Sequence, residues 1–448
     1  VELMSATAVV ETAEVPVAVV SPAERRRYAR IVAILSVTGL LQLWMWLETA
    51  SGDFTFLVQR QSAEQDEIKI SFDGPTWALV CLVVTVVVLA IFAAAPSLRE
   101  RQPQVARTVQ RGPLFVLLMV LAGFAFILGF CIWVYSGQSL DPALPMTNPL
   151  DGTLKFATPL ALGALAGAMC ERAGVINIAI EGQFLVGAFF AAVVATMASS
   201  AYVGLLGGIA AGVGLAAMLA FFAIRYMVNQ IVVGVVLVVF AGGTTGFLLD
   251  QIPNDRIVDL NSPPILEPIE LPGLSGLPVV GEAVFAQNFL VYLMYISVPV
   301  AWFLLFHTRW GLRVRAVGEH PRAADTVGIR VRARRWQAVL VGGVFAGLGG
   351  AFYTVGSTGA FDKDASAGTG FIALAALIMG RWHPVGALLA ALFFGFVSQM
   401  EIQLQILNKI PTELLSMTPY LATVIAVAGL IGGAAKPPAA DGEPYEKD

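Results

Sequence analysis

Charge is scarce in this chain. Asp, Glu, Lys and Arg make up 13% of its 448 residues and 57% are hydrophobic. A soluble domain carries about 25% charged and about 45–50% apolar residues, so a water-soluble globular protein is excluded and most of the length is membrane. Cysteine is scarce as well. Cys81, Cys131 and Cys170 all lie in apolar runs; without a framework or a metal spacing they read as packing residues. His307, His320 and His383 are too scattered for a metal centre. No G-x-x-x-x-G-K-[S/T] phosphate loop occurs, so ATP hydrolysis by that route is excluded and any such energy must come from a separate chain. No nucleophile–base pair marks a catalytic site, no cofactor is expected, and nothing suggests a nucleic-acid partner.

What the chain has in abundance is long apolar runs. About 20 residues of helix cross a hydrocarbon core about 30 Å thick. On that measure the chain is an all-α polytopic membrane protein with about 10–12 transmembrane or partial helices, some of them broken. Four segments are expected: a disordered cytoplasmic tail over 1–28, a three-helix membrane extension over 29–149, a main membrane domain over 150–432, and a second cytoplasmic tail over 433–448. The first spans are expected at Ala29–Trp46, Trp77–Ala95 and Pro113–Tyr135. Arginine is segregated among the loops. Arg25–Arg27, then Arg99, Arg101, Arg107 and Arg111, then Arg225, mark one side, and the acidic Glu48–Pro75 loop marks the other. Positive loops stay inside, which places both termini in the cytoplasm. Asp250–Gln287, with six prolines and an acidic excess, is expected outside as a connector with little regular structure.

The heaviest concentration of arginine lies at His307–Gln337, where eight occur between two apolar runs. Pro321 near the start and Gly328 just past the end of its centre predict one short capped helix, Glu319–Val327, outside the bilayer. The second informative stretch is Lys155–Val194. There an apolar helix is interrupted at Glu171-Arg172, passes Asn177, Glu181 and Gly182, and becomes apolar again. A charge inside a span costs about 2.5–3.5 kcal/mol on insertion scales, so these residues must be paired or face protein or water. Asn177 and Glu181 share one helix face. Either Glu181 pairs with Arg172 and fixes the bend, or Asn177 or Glu181 lines the path of a polar, hydroxyl-bearing substrate. Glu171 is expected at the cytoplasmic surface.

The order of residues in G-L-R-x-R-A-V-G-E-H-P-R-A-A-D-T-V-G-I resembles the coupling loop of ABC importer permeases, in the branch that carries branched-chain amino acids, ribose-like sugars and nucleosides. The matching positions are Gly311, Arg315, Ala316, Gly318, Pro321, Ala323, Ala324 and Gly328, with Glu319 between them; His320 stands where Asn is the family's habit. E-R-A-G-V-I-N-I-x-x-E-G, with Glu171, Arg172, Ala173, Gly174, Asn177, Glu181 and Gly182, is similar to the same region of nucleoside permeases, with simple-sugar permeases next. The resemblance implies a transport subunit without its own ATPase site. Its partners would be two ABC ATP-binding subunits, a second permease subunit that is identical or not, an extracytoplasmic substrate-binding protein and the lipid bilayer. It also implies that the short helix docks into a groove on the ATP-binding subunit and relays its movement.

Residues 155–193 and 366–400 share a plan of small-residue helix, charged break and glycine-rich helix, with the second break at Arg381–Pro384. Interrupted segments in matching places of two halves point to a translocation path; the alternative for the second break is that Arg381 and His383 lie at the cytoplasmic surface and only cap the helix. Gly204, Gly208 and Gly212, and again Gly343 and Gly347, stand four apart, the spacing at which helices approach closely in a bilayer. An ion-coupled secondary transporter also uses broken helices. It needs no coupling helix, however, and it needs more acids deep in its spans than this chain offers.

Overall fold

Lipid offers the backbone no hydrogen-bond partners, so apolar runs of spanning length close their bonds internally as helices. In the computed structural model, residues 22–59, 68–101, 113–136, 144–145, 147–253, 256–277, 280–405, 410–427 and 436–446 are described. Among them ten helices are long and apolar enough to cross a bilayer, and one apolar helix is shorter. This is the all-α polytopic membrane fold expected from composition. The chain forms two units, one of residues 1–57 and 69–144, the other of 58–68 and 145–448.

The first unit holds α1 (Pro22–Glu48), α2 (Gly74–Arg101) and α3 (Pro113–Tyr135). Leu35, Val88, Phe92, Leu118 and Ala122 bury together between them, and Phe54, Ala78, Cys131 and Ile132 form a second cluster. Two features differ from expectation. Helix α1 already begins at Pro22, inside the stretch read as tail, and residues 1–21 lie outside the described ones. The Glu48–Pro75 loop contains strands β1 (Asp53–Gln59) and β2 (Ile68–Asp73), which pair; alternation in Asp-Phe-Thr-Phe and Lys-Ile-Ser-Phe suits a pleated ribbon.

The second unit is built around α4 (Thr147–Glu171), α5 (Ile180–Ala198) and α13 (Val331–Phe352). Their spans are 83%, 72% and 78% buried, against 28% for α7 (Gln230–Asp250) and α15 (Pro384–Gln405), so the first three are the inner layer and the last two lie at the rim. Small residues permit this density. In α6 (Ala201–Ala220), a Cβ on Gly212 would lie 2.6 Å from the Gly343 carbonyl and the Gly347 Cα of α13, and one on Gly347 would lie 2.4 Å from the Gly208 carbonyl. The four-residue glycine spacing read from the sequence is thus a helix crossing. The three cysteines are buried and free.

At one end of this unit, α8 (Ile257–Leu260), β3 (Pro268–Glu270), α9 (Val280–Phe285) and β4 (Ala286–Asn288) fold the Asp250–Gln287 connector. β3 and β4 run antiparallel with Pro268 opposite Asn288. The Asn261 side chain donates to the Phe361 carbonyl at 3.0 Å and accepts from the Phe361 N–H at 2.7 Å. The expectation of little regular structure is corrected: the connector holds two short helices and a short strand pair, and side-chain bonds such as those of Asn261 fix the rest. Helix α10 (Phe289–His307) crosses to the other end, where α11 (Arg309–Glu319) and α12 (Pro321–Thr326) lie. Helix α14 (Thr369–Met379) is too short to cross a bilayer. α16 (Thr412–Ser416) and α17 (Thr418–Val427) close the bundle; α17 is described only to Val427.

Candidate functional site

The arginine-rich stretch is not one helix but two joined at a corner, and its far end belongs to α13. Thr308 caps α11, its hydroxyl accepting from the Gly311 N–H at 3.0 Å. Only glycine fits at 311, since a Cβ would lie 2.1 Å from the Leu304 carbonyl. Val314, Val317 and Gly318 form the buried side of α11. Pro321 excludes the helical region for the residue before it; His320 therefore sits at φ −143°, ψ 81°, and α12 starts afresh with Pro321 in its first turn. At the end of α12 the Gly328 N–H donates to Asp325 O at 2.9 Å and the Ile329 N–H to Ala324 O at 3.0 Å. With Gly328 at φ +80°, this is a Schellman termination. The short helix is where the sequence placed it, shortened to 321–326. Ala324 is buried; Arg322, Ala323, Thr326 and Val327 are exposed.

Gly318 joins this element to the first helix break. A Cβ there would lie 2.2 Å from the Arg172 carbonyl, so the two backbones touch. The break is built in the same way as the end of α12. Val175 N–H donates to Cys170 O at 3.1 Å, Gly174 N–H to Glu171 O at 2.9 Å, and Gly174 has φ +81°. The second break repeats it with Trp382 to Leu377 O at 3.1 Å and Arg381 to Ile378 O at 3.0 Å. There the left-handed position is taken by Arg381, at φ +56°. Helices α4 and α14 therefore stop by one device in the two segments that share a sequence plan.

The two breaks are tied to each other. Arg172 Nε donates to the Trp382 carbonyl at 3.0 Å and its Nη2 to the Arg381 carbonyl at 3.3 Å. The Trp382 indole N–H donates to the Glu171 carboxylate. Glu171, expected at the surface, is buried by this contact. Burial lowers the Arg172 pKa, Glu319 opposing and Arg315 adding to it. The Phe306 ring at the end of α10 gathers the parts: Arg172 lies 5.6 Å and Arg315 4.9 Å from its centroid, and the His383 ring 5.0 Å. Burial, then Arg172, lower the His383 pKa.

Glu181 does not pair with Arg172. Its carboxylate accepts from Ser366 Oγ at 2.6 Å, Gly368 N–H at 2.9 Å and Gly370 N–H at 2.7 Å. It thus caps the N-terminus of α14, where orphan N–H groups and the helix dipole favour an anion. Gly182 lies against α7, where a Cβ would be 3.0 Å from the Leu237 carbonyl. Asn177 is fully buried and donates to Gln183 Oε1 at 3.1 Å. Both Asn177 and Glu181 therefore sit at the bend, enclosed by protein. No group of three His, Cys, Asp or Glu among the described residues could hold a metal ion. Sequence reasoning missed Phe306, which reads as one more aromatic in apolar company, and it took Trp382 only as part of the second break, not as a partner of Glu171. It also missed α11, whose arginines conceal its apolar face.

Comparison with known proteins agrees with this geometry. Residues 150–432 match the family described as branched-chain amino acid transport system, permease component. The guanosine ABC transporter permease protein NupQ of Bacillus subtilis is 40% identical over 305 residues, 66% of this chain and 95% of its own. The nucleoside ABC transporter permease protein NupC of Lactococcus lactis subsp. cremoris is 37% identical with the same coverage of both chains, 66% and 95%. Of two permease proteins of Haloferax volcanii, the putative glucose ABC transporter permease protein TsgC13 is 34% identical over 62% of this chain and 90% of its own, and the glucose ABC transporter permease protein TsgB13 is 29% identical over 62% of this chain and 76% of its own. No solved structure matches. The chain belongs to the permease-component family of branched-chain amino acid transport systems: it is a permease subunit of an ABC importer, and the ion-coupled reading is set aside.

Proposed function

We propose that this subunit moves a nucleoside, or else a simple sugar, across the plasma membrane, drawing on a separate ATPase. The carrying observation is the backbone contact of Gly318 with Arg172. It lets a push on α12 reach the broken spans without passing through a flexible linker. On this reading the arginine-rich end and both termini face the cytoplasm, in accord with the positive-inside rule. Two permease subunits pair there with two ATP-binding subunits. The substrate-binding protein seats on the opposite end, over the folded 256–288 connector.

Arg315, Gly318, Glu319, Pro321, Ala323, Ala324 and Gly328 act as the coupling element. Its free face surrounds a cavity of about 240 Å³ lined by Ala316, Ala323, Val327 and Ile329 among others, of a size to take a partner side chain. Arg172, Asn177, Glu181 and Gly182 act at the bend, holding the breaks in register while the spans tilt. The chain itself performs no hydrolysis. Nucleoside is favoured over sugar because relatives named for guanosine and nucleosides reach 40% and 37% identity and those named for glucose, one of them as putative, 34% and 29%.

The test is uptake of labelled guanosine and glucose by the complete complex in proteoliposomes, with Ala323→Glu as the variant. The variant is expected to hydrolyse ATP while uptake falls about tenfold, within the 0.5–2 kcal/mol by which such residues alter coupling. Unchanged uptake per ATP would overturn the coupling role, and glucose uptake without guanosine uptake would overturn the substrate order.

A further inference from the structure

The last described residues of the chain, 436–446, return to the coupling element. Ala440 N–H donates to the Gly318 carbonyl at 2.9 Å. Ala439 N–H donates to Glu319 Oε2 at 3.1 Å. Arg335, at the base of α13 and 2% exposed, donates from Nη1 to the Glu443 carbonyl at 2.7 Å. The Tyr445 side chain is buried in a cluster with Val317 of α11, Ala324 of α12 and Val331 of α13. The same segment meets the first break: a Cβ on Gly174 would lie 2.8 Å from the Ala440 carbonyl, and one on Gly442, at φ +78°, would lie 2.7 Å from Ile176 Cδ1. The segment 439–445 thus touches both coupling helices, the first break and the foot of an inner-layer helix.

We propose that residues 438–445 are a permanent strap that binds α11 and α12 to the first break and the foot of α13, so that the four move as one body. The inference rests on the coupling role proposed above for α12. Three observations carry it. Helix α12 has six residues and one buried side chain, Ala324, too little to hold it against a sideways load, and Tyr445 covers that side chain. Gly318, whose missing Cβ lets α11 touch the break, has its carbonyl fixed by Ala440. Arg335 would face water at the base of α13 without the strap, which supplies its bond to Glu443. A strap of alanine, glycine and proline suits the place, since Ala440 and Gly442 enter gaps that larger side chains would not.

The experiment uses the complete transporter in proteoliposomes and reads uptake per ATP hydrolysed. Three forms are compared: the full chain, a chain ending at Lys436, and the pair Glu319→Cys with Ala439→Cys, reduced and oxidised. The strap predicts that the chain ending at Lys436 assembles and hydrolyses ATP with uptake per ATP down about tenfold, and that oxidising the cysteine pair leaves its uptake at the reduced level. Full uptake without the tail would overturn the proposal. So would loss of uptake on oxidation, because a tail that must leave its seat is no permanent strap. Should the shortened chain fail to reach the membrane, Tyr445→Ala takes its place: the strap predicts the same loss of uptake per ATP, and an unchanged ratio would overturn it. Ala323→Glu is run beside these forms. If it leaves coupling intact the α12 reading fails; if it uncouples and the shortened chain does not, the strap alone fails.

Discussion

At the scale of single residues, the charges within the spans are structural parts. Glu181 satisfies three donors of another helix terminus. A bond to a charged group is worth about 1.5–3 kcal/mol, and Glu181→Gln can serve fewer of these donors and loses the anion. Its midpoint of thermal unfolding in detergent is expected to fall by several degrees, with Ser366→Ala falling less; equal midpoints for Glu181→Gln and wild type would remove the cap from the account. Asp441 offers a pH readout. Burial raises its pKa above the ordinary carboxylate range, Arg335 and a backbone bond opposing, and the carboxyls of Glu171 and Glu443 and the guanidinium of Arg335 lie around it. A raised folded-state pKa means that the seated tail holds the proton more tightly than the released one. Its stabilisation is full below the ordinary carboxylate pKa and is lost as pH rises through the raised value. Proteolysis of the tail is therefore expected to be slower at about pH 5.5 than at about pH 8, and Asp441→Asn is expected to flatten that difference. What the sequence exposed at this scale was cost. A buried Glu or Arg had to have a partner, but the partner of Glu181 lies 185 residues away and no spacing rule reaches so far. Neither left-handed position was read from the sequence: Gly174 stood only as a motif match, and nothing in Arg381 says that an arginine is held at positive φ.

At the scale of elements, period and punctuation were readable wherever they were undisturbed. Pro321 and Gly328 located α12 to within a residue or two, and the glycine ladders of α6 and α13 gave a crossing. That crossing makes a firm prediction. Gly212→Leu places its first side-chain carbon 2.6 Å from the backbone of α13, where no rotamer helps, and overpacking of this kind costs about 1–3 kcal/mol or more. The variant is expected to lose monodisperse behaviour on size exclusion in detergent, whereas Gly214→Leu, with open space around its Cβ, is expected to keep it. Legibility failed where two patterns shared one stretch. In α11 the arginines that mark the side of the membrane also occupy a helix whose other face is buried, and the charge drew the reading toward a loop. The Asp250–Gln287 connector failed for another reason: its order comes from Asn261, Leu266 and Tyr292 bonding to distant backbone, which is tertiary information.

At the scale of the whole molecule, the class of protein followed from composition and the number of crossings from the length of the apolar runs. The orientation is testable without a substrate. The three native cysteines are buried, so Val327→Cys and Leu274→Cys, both at exposed positions, give single labelling sites at opposite ends of the second unit. A membrane-impermeant maleimide is expected to reach Leu274→Cys in intact cells and Val327→Cys only in inside-out vesicles. The reverse pattern would invert the transporter and remove α12 from the ATPase side.

The ring of Phe306 has a mechanical corollary. One aromatic ring is shared by a cation from the first break, a cation from α11 and an imidazole from the second break, and the turn that follows it leaves no slack at Gly311. Three bodies bearing on one axle cannot be steered separately. The two breaks are thereby geared together, and moving one while the other stays at rest would mean pulling a partner away from this ring.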